Sequence, residues 1–186
     1  MFRKMPNKEI VLKNGHTCIL RQPRENEDKK ILSYLNTVSQ ETDFLSFGGG
    51  GIDLTVKEER NYIREHNESI NKLIIIAELE KNIIGIAGFT GGKTKRVQHI
   101  GEFGVSVLFK YWGIGIGRAL TESLIEWAII TGVIHKINLR VRVDNKRAII
   151  LYEHLGFKKE GMITRQFLIG DKFYDAYMMG LCLEDF

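Results

Sequence analysis

Cysteine is scarce in this sequence. The 186 residues hold two, Cys18 and Cys182, near opposite ends. They form no metal-type pair and no disulfide framework, so two buried thiols in a reducing compartment are the expectation. Long apolar runs are missing too. The longest are strand-sized, which leaves no helix able to span a bilayer. The opening MFRKMPNKEIVLKNG lacks the apolar core of a secretory signal. These absences predict a cytoplasmic protein with no membrane partner. There is also no long basic run: the net charge is +4 and the pI about 9.0. That mild excess fits an anionic ligand. The lack of clustered Lys and Arg with interleaved aromatics argues against a nucleic-acid partner. No internal repeat, low-complexity tract or linker interrupts the chain, and a single domain over 1–186 is expected.

What is present reads as a mixed α/β pattern of the order βααβββαβαββ. HTCILR (16–21) has strand character. ENEDKKILSYLNTV follows with Ile31, Leu32, Leu35 and Val38 at helical spacing. A loop with four glycines, Gly48 to Gly51, comes next and is expected to be mobile. Thr55 and Glu58 form a T-x-x-E capping box that starts a second helix. LIIIAEL and NIIGIAGF flank Glu80-Lys81-Asn82 as a hairpin, and VQHIGEFGVSVLF is a further strand. YWGIGIGR is a glycine-rich loop leading into a helix with Leu120, Leu124, Trp127, Ala128 and Thr131 on one face. HKINLRVRV alternates cleanly. It places Ile137, Leu139, Val141 and Val143 inward, with Arg140 and Arg142 on a solvated face. NKRAIILYEHLG is a short helix ending at Gly156. Two last strands flank Gly170-Asp171.

The loop at Gly113, Gly115 and Gly117 has the strongest chemical content. A helix N-terminus carries unpaired N–H groups and a partial positive charge, and glycines let those amides converge on a phosphate. Arg118 adds a cation. A simple tight turn is the competing reading. Two other phosphate motifs fail. A dinucleotide fingerprint would need glycine at Arg118 or Leu120, and GFTGGKT is one residue too short for a P-loop and runs into a strand.

YWGIGIGRAL taken with NKRAIILYEHLGF resembles the GNAT acetyltransferase superfamily. The first stretch is similar to the family's acyl-CoA pyrophosphate loop, Q/R-x-x-G-x-G/A. Gly115 and Gly117 match its glycines, and Trp112 stands where the family has Gln or Arg. The second is similar to N-x-x-A-x-x-x-Y-x-x-x-G-F, matched by Asn145, Ala148, Tyr152, Gly156 and Phe157. The element order is also similar along nearly the whole chain. The final hairpin and first helices resemble the branch that includes ribosomal-protein N-terminal and polyamine acetyltransferases.

The resemblance implies an α/β GNAT fold with a central mixed sheet and a splayed strand pair, and acetyl-CoA as co-substrate without a metal. It implies that the pantetheine arm lies along Val105, Ser106 and Val107. The pyrophosphate would sit on the amides of Gly113, Ile114, Gly115, Ile116, Gly117 and Arg118, with Trp112 at the entrance. Asn145, Ala148 and Tyr152 would meet the cofactor from the following helix. The implied reaction is direct attack of an amine on the thioester. Tyr152, a phenol with a pKa of roughly 10, is the candidate general acid. Glu102, on one strand face with Gly104 and Ser106, is the candidate base, directly or through a water; His99 has the opposite parity. Packing and N-cap roles compete for Tyr152 and Asn145, and the role of an exposed strand glutamate or a partner for a basic side chain competes for Glu102. Asp43, Asp53, Asp175, Phe44, Phe47 and Tyr174 are candidates for the acceptor groove. A small-molecule amine or a protein N-terminus fits equally. A homodimer is compatible with the fold, and a non-catalytic acyl-CoA sensor is the alternative to an enzyme.

Overall fold

The structure, a computed structural model, describes residues 5–48 and 53–183. The elements are β1 (Lys8–Val11), β2 (Thr17–Arg21), α1 (Asp28–Glu41), α2 (Val56–Glu68), β3 (Lys72–Leu79), β4 (Asn82–Gly91), β5 (Ile100–Val107), α3 (Ile116–Thr131), β6 (Lys136–Arg142), α4 (Lys146–His154), β7 (Lys158–Ile169) and β8 (Lys172–Cys182). The strands form one sheet in the order β1-β2-β3-β4-β5-β6-β8-β7. All neighbours are antiparallel except β5 and β6, which run parallel.

The sequence reading lacked β1. Lys-Glu-Ile-Val is a short edge strand that turns only Ile10 toward the core and leaves Val11 exposed, so alternation is almost invisible. β5 also begins later than expected. Val97 belongs to a turn, and its carbonyl accepts from the Ile100 N–H at 3.1 Å. Glycines 49–51 of the first long loop lie outside the described residues.

Strand alternation gives the sheet two apolar faces. Leu73, Ile75, Ala87, Phe89 and Phe103 pack with Leu120, Leu124, Trp127, Ile149 and Tyr152 of α3 and α4. Ile74, Ile76 and Ile83 pack on the other side with Ile31, Tyr34, Val38 and Ile63 of α1 and α2. Local signals fix the connections. Thr55 and Glu58 make the capping box, with Thr55 N–H donating to the Glu58 carboxylate at 2.8 Å. Glu80 and Lys81 both take positive φ, the geometry of a two-residue hairpin turn whose twist matches the flanking strands. Gly132 ends α3 in the left-handed region at φ 63°.

The feature that matters for function lies between β5 and β6. Their parallel pairing covers only Ile100/Lys136, Gly101/Ile137 and Glu102/Asn138. Past those residues the strands part, while β5 remains paired to β4 as far as Val107 and β6 to β8 as far as Arg142. The sheet therefore contains a wedge-shaped gap, closed at Glu102 and open toward Val107.

Candidate active site

Pairing geometry decides which backbone groups face the gap. Gly92 N–H donates to the Ile100 carbonyl at 2.9 Å and Leu108 N–H to the Ile84 carbonyl at 3.0 Å. In an antiparallel ladder these bonds recur at every second residue, so even-numbered residues of β5 bond to β4. Phe103, Val105 and Val107 then turn their N–H and C=O groups toward the gap, beyond the last β6 partner. The Val107 carbonyl is taken by Trp112, whose indole N–H donates to it at 2.7 Å. The Trp112 ring thus anchors the glycine loop to the open end of β5, a job that the family's Gln or Arg position did not suggest.

The loop itself is built for an anion. Gly113 and Gly115 hold φ of +86° and +103°, conformations that disfavour any side chain. Gly115 is the N-cap of α3 and supplies no side-chain cap. Among the described residues, the N–H groups of residues 113–118 donate to no protein acceptor; the first amide satisfied inside the helix is that of Ala119, which bonds the Gly115 carbonyl at 3.0 Å. A Cβ at Gly115 would meet nothing within 4 Å, so the space beside this residue is open. The Ile114 carbonyl accepts from Lys13 N–H at 3.2 Å, pinning the loop from the β1–β2 turn. Unpaired amides, a helix N-terminus and open space fit a pyrophosphate. Arg118 stands at the mouth in a half-exposed pair with Glu122 at 3.3 Å. A second cation was missed by sequence reasoning: Arg147 of α4 lies over the Trp112 ring at 5.4 Å. Its guanidinium comes within 3.5 Å of where a Cβ on Gly113 would stand.

α4 brings the second motif to the same place. Asn145 is its N-cap, accepting from the Ala148 N–H at 3.2 Å, and Ala148 packs at the core edge. A Cβ at Gly117 would touch Leu151 and Val107 at 3.9 Å, so α3, α4 and the end of β5 converge there. Tyr152 is buried, with its ring edge-on to Phe103 at 6.2 Å and tilted against Phe157 at 5.7 Å. Phe103 is the first residue of β5 past the paired segment, so Tyr152 sits beside the closed end of the gap. Burial pushes its phenol pKa well up, which keeps it protonated across the neutral range.

Glu102 points to the other face, toward α1 and α2, and does not meet Tyr152. Its carboxylate is held by Arg140, the guanidinium Nε at 2.5 Å, with both side chains about half exposed. Ser106 shares that face, and its hydroxyl is 2.9 Å from that of the buried Tyr34. Arg142 corrects an expectation. Sequence alternation placed it on a solvated face, yet only 5% of it is exposed. Asp144 takes two of its bonds, at 3.0 and 2.6 Å, and it donates to the Asp43 carbonyl at 3.0 Å. Its guanidinium lies over the rings of Tyr174 at 3.8 Å and Phe44 at 4.7 Å. The clasp ties together the segment after α1, the end of β6 and the β7–β8 hairpin. Asp43, Phe44 and Tyr174 are thus packed into one cluster. Asp175 accepts from the Arg165 N–H at 2.8 Å, at a bulge where Arg165 has positive φ. Phe47 packs on the α1–α2 core, and Asp53 is exposed.

No helix among the described residues is long and apolar enough to cross a membrane. Comparison with known proteins agrees with the geometry. The model of the "Acetyltransferase (GNAT) family" matches residues 41–157. An acetyltransferase of the GNAT family from Streptococcus pneumoniae superposes with a TM-score of 0.86 at 36% identity, covering 89% of this chain and 98% of that one. A Salmonella typhimurium protein solved with its cofactor acetyl-CoA shares the fold, with a TM-score of 0.78 at 18% identity over 91% of this chain and 95% of that one. In sequence, spermidine N(1)-acetyltransferase of Vibrio cholerae is 26% identical over 121 residues, 65% of this chain and 69% of that protein. A gap between parting strands, an open amide cradle and a family match across both therefore lead to one conclusion: this chain belongs to the GNAT family of acetyltransferases, with acetyl-CoA as its acyl donor.

Proposed function

We propose that the protein acetylates a primary amine by direct attack within a ternary complex, with Tyr152 as the general acid. The observation that carries this reading is the run of unpartnered amides at 113–118 next to Val107 at the open end of the gap, with Tyr152 packed on Phe103 at its closed end. The pyrophosphate rests on those amides with Arg118 and Arg147 at the rim. The pantetheine arm lies in the gap against Val105 and Val107, and Asn145 and Ala148 line it from α4. The acceptor enters from the α1–α2 face. Glu102 takes the proton of the incoming ammonium, directly or through a water, and passes it to solvent. As the C–N bond forms and the C–S bond breaks, the Val105 N–H steadies the carbonyl oxygen. The departing thiolate takes the Tyr152 proton, and the second proton shed by the nitrogen restores the phenol. A buried phenol with its pKa raised suits this task because it never competes as an anion at neutral pH.

Tyr152→Phe tests the assignment. Removal of a general acid costs on the order of 10²-fold in kcat, while acetyl-CoA affinity stays within about twofold because the ring packing is kept. Unchanged turnover in the variant would overturn the role of Tyr152.

A further inference from the structure

We propose that the acceptor is a zwitterion, an α-amino acid or close analogue, held by its amine at Glu102 and by its carboxylate at Arg140. This rests on the acetyl-transfer reading above and names its acceptor class. The two side chains meet across the closed end of the gap. Glu102 belongs to the last paired position of β5, and Arg140 lies two residues past its β6 partner Asn138, so the guanidinium reaches back over the opening. The pair is about half exposed, which makes it cheap to exchange for equivalent charges.

The charge inventory of this face selects the ligand. Lys136, Arg140 and Arg142 alternate along β6, and each is matched: Lys136 by Glu160 at 2.8 Å, Arg140 by Glu102, Arg142 by Asp144. Among the described residues, each cation of this row therefore already has one carboxylate beside it. An amine without a carboxylate reaches Glu102 only by leaving the Arg140 charge unpaired beside it. An α-amino acid replaces both halves, its ammonium standing in for the guanidinium and its carboxylate for that of Glu102. Arg140 presents the planar fork that binds a carboxylate through two parallel bonds. Asn138 adds an independent sign. It stands level with Glu102 and between Lys136 and Arg140 on the same face, and its side-chain oxygen is buried without a hydrogen-bond partner. An amine N–H arriving as the ion pair opens supplies one. One oxygen of the Asp175 carboxylate, an alternative anchor for an amine, already accepts from the Arg165 N–H.

The experiment measures coenzyme A release from acetyl-CoA with the L-α-amino acids, the corresponding amino-acid amides and spermidine. In parallel, calorimetry follows amino-acid binding to the protein saturated with coenzyme A. The best amino acid should exceed its own amide and spermidine by about tenfold or more in kcat/KM. Arg140→Gln should raise KM for the amino acid at least tenfold more than KM for the amide, and Arg140→Lys should fall between. Acetyl-CoA affinity of each variant reads whether it is folded. An amide or spermidine turned over as well as the free amino acid would overturn the proposal, as would an equal rise in both KM values. Amino-acid binding that depends on Arg140, with no turnover of any amine, would support this acceptor site while refuting the catalytic reading. Turnover of spermidine alone would do the reverse.

Discussion

Replacing Arg142 with methionine isolates the clasp on the acceptor side from the cofactor side. Methionine keeps much of the aliphatic packing against Phe44 and Tyr174 and removes the charge. Two ring contacts are lost, each worth about 0.5–1 kcal/mol. The Asp43 carbonyl loses a charged donor, a further cost of about 1–2 kcal/mol. Asp144 is about half exposed and regains water, so its pair contributes only about 0.5 kcal/mol. The total is about 3 kcal/mol, or a fall in Tm of about 6–12 °C for a chain of this size. Scanning calorimetry gives the stability, and coenzyme A release gives the kinetics. KM for the amine should rise about tenfold because the segment after α1 and the final hairpin lose their common anchor. Acetyl-CoA affinity should change by less than about twofold, since the amide cradle lies at the start of α3. A Tm within about 2 °C of the parent, together with an unchanged amine KM, would refute this account of the clasp.

Two buried carboxyl groups give opposite pH signatures. Glu59 is buried, and desolvation, helped by the charge of nearby Asp28, raises its pKa from 4.5 to about 7. Its contribution to stability is therefore complete below pH 4.5 and lost as the pH rises through 7; Glu59→Gln should stabilise the protein at pH 8 by about 1–2 kcal/mol in urea melts and do little at pH 5. Glu27 is hydrogen-bonded by Arg21, chiefly through that bond, and its pKa falls from 4.5 to about 2. Its contribution is present above pH 4.5 and lost as the pH falls toward 2; Glu27→Gln should flatten the acid limb of the stability curve, and an unchanged limb would show that other carboxylates govern it.

The motifs were legible because their chemistry is local. The glycines of the 113–118 loop answer to backbone conformation, and Thr55, Glu58 and Asn145 bond to amides three residues away, so sequence spacing alone carries them. β1 was not legible, since a four-residue edge strand is specified by its partner β2 and not by its own alternation. Arg142 was misplaced for a related reason. Alternation gives the face of a residue but not what covers it, and here the cover comes from Phe44, 98 positions earlier, and from Tyr174, 32 later. Glu102 was legible as a strand carboxylate open to a basic partner, yet that this partner is Arg140 follows from the β5–β6 register, which no periodicity reveals. Arg147 escaped notice because it lies at an unmarked position within a recognised motif, and only the approach of α4 to Trp112 brings it to the loop.

The most direct test is calorimetric titration of acetyl-CoA and of S-acetylpantetheine, which lacks the pyrophosphate, into the protein and into Gly115→Val. The account predicts that acetyl-CoA binds the parent at least about 100-fold more tightly than S-acetylpantetheine. It also predicts that Gly115→Val, which forces a side chain into φ +103°, loses at least about tenfold for acetyl-CoA and little for S-acetylpantetheine. Equal affinity for the two ligands, or no binding of acetyl-CoA at all, would contradict the assignment of residues 113–118 as the pyrophosphate cradle.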